Sequence, residues 1–241
     1  MKEFYYDLHS HILPGVDDGP SSMEETKEML RIALEEGIHT IIATPHYESA
    51  KGQNTEEIQK IIEQVLIEAK TISPDFTIYP GNELYYSDSV IEDLKAKKAF
   101  TLAGTNYVLV EFSVRESYDS IFKGLRNLVS AGYFPILAHV ERYQCLHKQE
   151  ERIYDLIDLG AYIQMNCDSL EMGFFHMESK YHRSLLAKGL IHFLSSDCHD
   201  TKYRRPLLGS VAKNLRKKVE HKKLDEILIE NPKTLLENKY I

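Results

Sequence analysis

Tryptophan is absent from this chain, cysteine occurs three times, and no apolar run approaches the roughly 20 residues of a membrane-spanning helix. The missing apolar runs argue against membrane insertion. The opening Met1 to Asp7 lacks the apolar core of a signal peptide, so a cytoplasmic protein is expected. Cys145, Cys167 and Cys198 are odd in number and widely spaced, which suits reduced thiols better than a disulfide framework. None of them is an obvious zinc ligand. With no tryptophan, the 15 tyrosines are too dispersed to build a base-stacking platform. Positive charge is in deficit: the formal net charge is −8, which argues against nucleic acid as a partner. It does not argue against a phosphate substrate, because clustered carboxylates loaded with divalent cations make a locally electropositive site. The basic stretch Lys213 to Lys223 looks helical and reads as a solvated face. Glycine- or proline-rich linkers and low-complexity tracts are lacking as well, so residues 1–241, 43% of them hydrophobic, are expected to form a single domain.

What is present is an alternation. Seven short apolar runs rich in β-branched residues, Phe4 to Leu8, Thr40 to Thr44, Phe76 to Tyr79, Tyr107 to Val110, Phe134 to Ala138, Tyr162 to Met165 and His192 to Ser195, are separated by amphipathic segments. That is the signature of βα units and a mostly parallel sheet. Helices are expected from Ser21-Ser22 to Gly37, at Thr55 to Lys70, Ser89 to Lys97, Ser117 to Ala131, Gln149 to Leu159, Ser179 to Lys188, Leu207 to Lys218 and Leu224 to Ile229.

After almost every run stands a residue that can bind a metal: His9 and His11, then His46, Glu83, Glu111, His139, and finally Asp197 and His199. In a (β/α) barrel the C-terminal ends of the strands form the catalytic face, so these scattered residues would converge, and the first and last strands would be neighbours. His9-x-His11 sends both imidazoles the same way from one strand, as a metal clip requires. Asp17-Asp18-Gly19 offers carboxylates in a turn, whose ordinary reading is an Asx turn. Pro45 is expected to end the second strand and leave His46 on a loop. Glu111 follows a continuous apolar run, and a buried carboxylate is costly unless paired or metal-bound; a structural ion pair with Arg115 or Arg142 is its alternative. Arg142, three residues after His139, is suited to phosphate oxygens. Only the sixth run, ending near Asn166, shows no ligand.

A rival lies in Cys198 to Arg204, which satisfies C-x5-R, the spacing of cysteine-dependent phosphatases. Those loops cradle phosphate with backbone N–H groups in a small-residue turn, whereas this one has no glycine and carries Asp200. Cys198 reads as a bystander. His39, His147, His176, His182, His192 and His221 lie in helices or at strand beginnings and read as structural or solvent-exposed.

The segments His9-Ser10-His11-Ile12-Leu13-Pro14-Gly15-Val16-Asp17-Asp18-Gly19-Pro20, Ala43-Thr44-Pro45-His46, Ile136 to Tyr143 and Ser196-Asp197-Cys198-His199 closely resemble the PHP (polymerase and histidinol phosphatase) superfamily. More narrowly, they resemble its bacterial metal-dependent protein tyrosine phosphatases of capsule and exopolysaccharide synthesis, over nearly the whole chain. The resemblance implies an α/β fold, a distorted TIM-like (β/α)7 barrel of the PHP type. It implies three divalent metal ions, commonly manganese, with iron or zinc as alternatives, held by His9, His11, Asp18, His46, Glu83, Glu111, His139, Asp197 and His199. Asp18 rather than Asp17 matches the pattern. Arg142 and Arg204 match the phosphate-binding arginines, with Arg205 as the neighbour that competes with Arg204.

The activity so implied is hydrolysis of phosphotyrosine by a metal-activated hydroxide, on the tyrosine-rich C-terminal tail of a bacterial tyrosine kinase; an oligomer is compatible with it. Phenolate leaves with a pKa near 10 and needs less acid assistance than an alkoxide. Rivals are a small-molecule phosphomonoesterase such as histidinol phosphatase, a PHP-type nuclease, and a non-enzymatic protein that docks on the kinase.

Overall fold

The computed structural model describes residues 4–170 and 176–241. The first three residues of the opening segment lie outside these, and the side chain of His176 is likewise not described. All seven runs are strands, and every strand pairing is parallel. Strands β1 (Tyr5–Ser10), β2 (Ile38–Ala43) and β4 (Thr77–Pro80) form one sheet in that order. A second runs β3 (His46–Tyr47), β5 (Glu83–Tyr85), β6 (Tyr107–Glu111), β7 (Phe134–Leu137), β8 (Tyr162–Asn166) and β9 (Phe193–Ser195).

The two sheets are linked because two chain segments contribute to both. Thr44-Pro45 interrupts one segment between β2 and β3, and Gly81-Asn82 interrupts the next between β4 and β5. Pro45 therefore breaks the second strand without ending it: pairing resumes immediately, with His46 opposite Glu83. His46 is held on a strand, not on the loop expected for it, because a proline removes one ladder donor but leaves its neighbours free to pair. At the opposite edges β1 meets β9 through a parallel bridge between Ser10 and Cys198. His11 N donates to Cys198 O at 2.9 Å and Asp197 N to His9 O at 2.9 Å.

The helices follow the strands in α/β order. α1 (Met23–Glu35) is capped by Ser22, whose hydroxyl accepts from Glu25 N, and Gly37 at φ 79° ends it in the left-handed conformation that favours glycine. α2 (Thr55–Ile72) is capped by Asn54; α3 (Val90–Lys95) is short; and α4 (Tyr118–Ser130) is capped by Ser117. α5 (Glu150–Asp158), α6 (His176–Ala187) and α7 (Leu208–Leu215) complete the outer layer.

The C-terminal region departs from expectation. The basic stretch is not one helix: α7 stops at Leu215, residues 216–220 turn, and α8 (His221–Asp225) begins afresh. Like charges one turn apart disfavour a continuous helix there, and the turn lets Val219 pack against the core. After a π-type stretch at Glu226–Glu230 comes α9 (Asn231–Leu236), which the sequence pattern did not give. Pro232 sits in its first turn, where the missing N–H costs nothing.

Side-chain alternation divides the sheet's concave side into an apolar floor and a polar upper end. On β6, Tyr107 and Leu109 lie in the floor and Glu111 stands above them; on β8, Tyr162 lies below Gln164 and Asn166. Leu8, Ile136 and Phe193 complete the floor, and Leu235 of α9 belongs to the same cluster. Along β1 the register slips by one residue between Asp7 and Ser10. Such a bulge re-aims side chains, so His9 can face the polar end although Leu8 already lies in the floor.

Candidate metal centre

The polar end gathers histidines and carboxylates from the ends of successive strands. Three groups of side chains bring one ligand atom each to within 4.8 Å of the others: His11, Asp18, His46 and His199; His9, His11, Glu83 and Asp197; and His46, Glu83 and Glu111. Eight of the nine residues that the resemblance marks as ligands are in these groups. The ninth, His139, adjoins two of them, with Nε2 at 2.8 Å from Glu83 Oε1 and 3.5 Å from Glu111 Oε2. Glu83 is central: Oε2 lies 3.2 Å from Nε2 of both His9 and His11 and 3.1 Å from His46 Nδ1. Glu111 faces His46 at 3.3 Å, and no arginine pairs with it among the described residues.

Three imidazoles are fixed from behind. His11 Nδ1 lies 2.7 Å from Asp17 Oδ2, His199 Nδ1 lies 2.9 Å from the Asp197 carbonyl, and His9 Nδ1 lies 3.4 Å from Gln164 Oε1. Each acceptor receives a hydrogen bond from Nδ1–H and leaves Nε2 directed into the cluster, the arrangement by which metal-ligating histidines are oriented. Asp17 and Asp18 thereby separate. Asp17 holds His11 and accepts from His46 N at 3.1 Å, whereas Asp18 Oδ1 points at Nε2 of His199, 3.2 Å, and of His46, 3.4 Å.

The charges are strongly coupled. Burial alone would raise the Glu83 carboxyl, but the imidazoles of His9, His11 and His139 outweigh it and hold it well below the usual carboxylate range. Burial likewise opposes the His11 and His139 cations, yet the facing carboxylates raise both to about 10. His199 goes the other way: burial, then the charges of His11 and Arg204, push it down to about 4. Two buried atoms aimed into the cluster, Asp197 Oδ1 and His199 Nε2, accept no hydrogen bond. Orphaned acceptors in so polar a site fit a bound cation. Nitrogen and oxygen donors in this mixture suit manganese, iron or zinc better than calcium or magnesium. His139 and Asp197 hold positive φ values of 33° and 52°, which for residues other than glycine is strain of a kind that accumulates at functional sites.

The other oxygen of Asp197 collects cations and an amide. Arg142 reaches Asp197 Oδ2 at 2.8 Å, Arg204 at 2.7 Å and Asn166 Nδ2 at 2.7 Å. Arg204 rather than Arg205 therefore faces the cluster; Arg205 Nε is buried without a hydrogen-bond partner. The Asp200 carboxylate accepts from the backbone N–H groups of Lys202, Tyr203 and Arg204, so an acidic side chain occupies the position a phosphate would need in a C-x5-R loop. Cys198 itself is 1% exposed, lies 3.3 Å from Ser10 Oγ, and burial pushes its thiol up to about 12. That is the opposite of an activated nucleophile.

Sequence reasoning missed the contribution of β8, the sixth apolar run. Gln164 Oε1 accepts from His139 N at 2.7 Å as well as facing His9; Gln164 Nε2 donates to Asn166 Oδ1 at 2.9 Å; and Asn166 Nδ2 donates to Asp197. Two amides thus form a buried ladder from His9 to Asp197. The only available signal was the spacing of two polar residues at i and i+2 in an otherwise apolar strand. None of the remaining described histidines joins the three groups.

Residues 5–237 match the family model for capsular polysaccharide synthesis, CpsB/CapC. The chain is 36% identical to the tyrosine-protein phosphatase CpsB of Streptococcus pneumoniae over 98% of this chain and 99% of that one. It is 32% identical to the tyrosine-protein phosphatase YwqE of Bacillus subtilis, over 98% and 92%. A crystal structure from work on YwqE of Bacillus subtilis and CpsB of Streptococcus pneumoniae, described as metal-dependent tyrosine phosphatases, superposes with a TM-score of 0.89 at 30% identity, covering 98% of this chain and 96% of that one. The phosphotriesterase homology protein of Escherichia coli shares the fold at 14% identity, with a TM-score of 0.64 and coverage of 96% and 98%.

Proposed function

The chain belongs to the capsular polysaccharide synthesis family CpsB/CapC, and on that premise we propose that it is a metal-dependent protein tyrosine phosphatase. Its substrate would be phosphotyrosine on a bacterial tyrosine kinase controlling polysaccharide synthesis, in the cytoplasm. The observation that carries this reading is the pair of orphaned acceptors, Asp197 Oδ1 and His199 Nε2, buried among nine converging ligand candidates. We assign His9, His11, Asp18, His46, Glu83, Glu111, His139, Asp197 and His199 to three divalent ions, manganese first among the candidates. The bridge between Ser10 and Cys198 supports reading the curled sheet as a distorted (β/α)7 barrel of the PHP type, formed by the whole chain as one domain.

Divalent ions, when bound, polarise phosphoryl oxygens and lower the pKa of a bound water. The chain's own part is positional. Arg142 and Arg204, both partly exposed and both converging on Asp197 Oδ2, can turn their remaining N–H groups to the equatorial oxygens of a phosphoryl group, where charge concentrates during in-line displacement. Gln164, Asp17 and the Asp197 carbonyl fix three imidazoles. No nucleophilic side chain is needed, in keeping with the inert Cys198.

The test is steady-state hydrolysis of a phosphotyrosine peptide, histidinol phosphate and an activated aryl phosphate, before and after chelation and with Mn restored. We expect peptide turnover that is lost on chelation, regained with the metal, absent in His139→Ala and Asp197→Ala, and retained in Cys198→Ser. Turnover that survives chelation but vanishes in Cys198→Ser would overturn the reading. Preference for histidinol phosphate over the peptide would move it to a small-molecule phosphatase.

A further inference from the structure

The metal cluster opens into a cavity of about 650 Å³ lined by Asp18, His46, Glu111 and, at one side, Tyr85. Tyr85 also lines a second cavity, of about 290 Å³, whose walls include Tyr86, Phe112, Ser120 and Lys123. The two cavities have Tyr85 as a shared lining residue. The strands that carry the ligand candidates also supply residues to both cavities. β5 continues from Glu83 through Leu84 to Tyr85, β6 from Glu111 into Phe112, Tyr85 is paired in register with Glu111, and Tyr86 N donates to Glu111 O at 2.8 Å.

Alternation along β5 puts Tyr85 on the same face as Glu83 and about 7 Å further toward the mouth. Leu84 between them is fully buried, whereas Tyr85 is 41% exposed. The second cavity combines the aromatic side chains of Tyr85, Tyr86 and Phe112 with Ser87, Ser113 and Ser120. Tyr86 and Phe112 stack with centroids 4.9 Å apart, and the Tyr86 hydroxyl accepts from Asn127 at 3.1 Å. A Cβ at Gly124 of α4 would meet the Phe112 ring at 2.8 Å, so the helix packs directly on that wall. The charges lining it are mixed, Lys123 against Asp88 and Glu116, and so select weakly; the three aromatic side chains are its main apolar surface.

We propose that this second cavity is a substrate subsite which takes an aromatic or large apolar side chain flanking the phosphotyrosine of a polypeptide. The inference rests on the tyrosine phosphatase reading and deepens it. A phosphotyrosine whose phosphate lies among the metal ligands carries its backbone outward to the level of Tyr85. A neighbouring side chain on an extended peptide, spaced like the residues of a strand, then falls into the aromatic cavity. A small phosphomonoester fills only the metal pocket and gains nothing from it.

The test compares two phosphotyrosine peptides, one with phenylalanine and one with alanine at the two positions on either side of the phosphotyrosine, in wild type, Tyr85→Ala and Ser120→Trp. Ser120 is exposed on α4, so tryptophan there blocks the cavity without entering the core. The quantity read is the ratio of kcat/KM for the two peptides within each protein, which cancels any change in overall activity. Wild type should favour the phenylalanine peptide about tenfold, as expected for burying one ring, and the ratio should fall to near one in both variants. A wild-type ratio near one, or a preference that survives either substitution, overturns the subsite while leaving phosphotyrosine hydrolysis intact. If wild type turns over neither peptide but hydrolyses histidinol phosphate, the tyrosine phosphatase reading itself fails, and the subsite with it.

Discussion

Replacing Asn166 by leucine, which keeps the side chain's shape and removes its polarity, interrogates the amide ladder directly. In the native protein Asn166 accepts from Gln164 Nε2 and donates to Asp197 Oδ2, all three residues being buried. The substitution leaves the Gln164 amide without its acceptor, a desolvation penalty of about 1–3 kcal/mol, and removes a hydrogen bond to a charged group worth about 1.5–3 kcal/mol. Arg142 and Arg204 still hold Asp197 Oδ2 and soften the second loss, so a net destabilisation of about 2 kcal/mol is expected. For a chain of this size that lowers the melting temperature of the metal-free protein by about 4–8 °C. Once the ladder is cut, Gln164 is free to rotate away from His9 Nδ1 and His139 N, and the ligands lose their fixed aim. Loss of such support costs about 10–100-fold in metal affinity. Competition for Mn against a chromophoric chelator reads the affinity, and thermal unfolding of the metal-free protein reads the stability. A variant that binds metal and melts like wild type would refute the positioning role of β8.

Three further outcomes are expected. In native protein at pH 8, iodoacetamide should leave Cys198 unmodified, as mapped by mass spectrometry, because burial holds its thiol up to about 12; rapid alkylation there would revive the cysteine mechanism. His192 accepts a hydrogen bond from Ile163 N at 3.1 Å and is lowered to about 4 by burial and then by Lys223. Its folded pKa lies below the unfolded value of about 6.5, so its contribution is complete above pH 6.5 and is lost as the pH falls toward 4, by at most about 3 kcal/mol. The urea midpoint should accordingly drop between pH 7 and pH 5 by less in His192→Phe than in wild type. Gly209→Ala would set a Cβ 2.0 Å from the Glu36 carbonyl oxygen, an overpacking that costs about 3 kcal/mol, and a melting temperature equal to wild type would show that α7 slides freely over the end of α1.

The parts of the fold that repeat were legible from the residues. Each βα unit carries its own local signal, so the seven apolar runs and the helix starts at Ser21-Ser22 and Ser117 emerged from spacing and cap chemistry, whereas the Asn54 cap came only with the structure. The ligand candidates were legible because histidines and carboxylates are out of place at the ends of apolar strands. What was not legible depended on long-range partners. No local pattern says that Pro45 lets the strand resume on a second sheet, or that Asn238 and Lys239, just beyond α9, bond back to Asn106 and Tyr107. The same holds for Gln164 and Asn166, whose amides look ordinary until His9, His139 and Asp197 are placed around them. The resemblance favoured Arg204 over Arg205 and Asp18 over Asp17, and direction in space separates each pair in the fold.

The seam where Ser10 meets Cys198, residues 188 positions apart, has a temporal consequence. A ribosome adding about 5–20 residues per second needs some ten seconds or longer after His9 and His11 emerge before Asp197 and His199 exist at all. Through that interval the growing chain carries a partial set of ligands with no opposing edge to close against, and contacts of such long separation form slowly even afterwards. A product truncated before Asp197 therefore lacks two of the nine ligand candidates. The full set of ligand candidates comes together only once the segment just beyond the last strand, with Asp197 and His199, has met the first strand's edge.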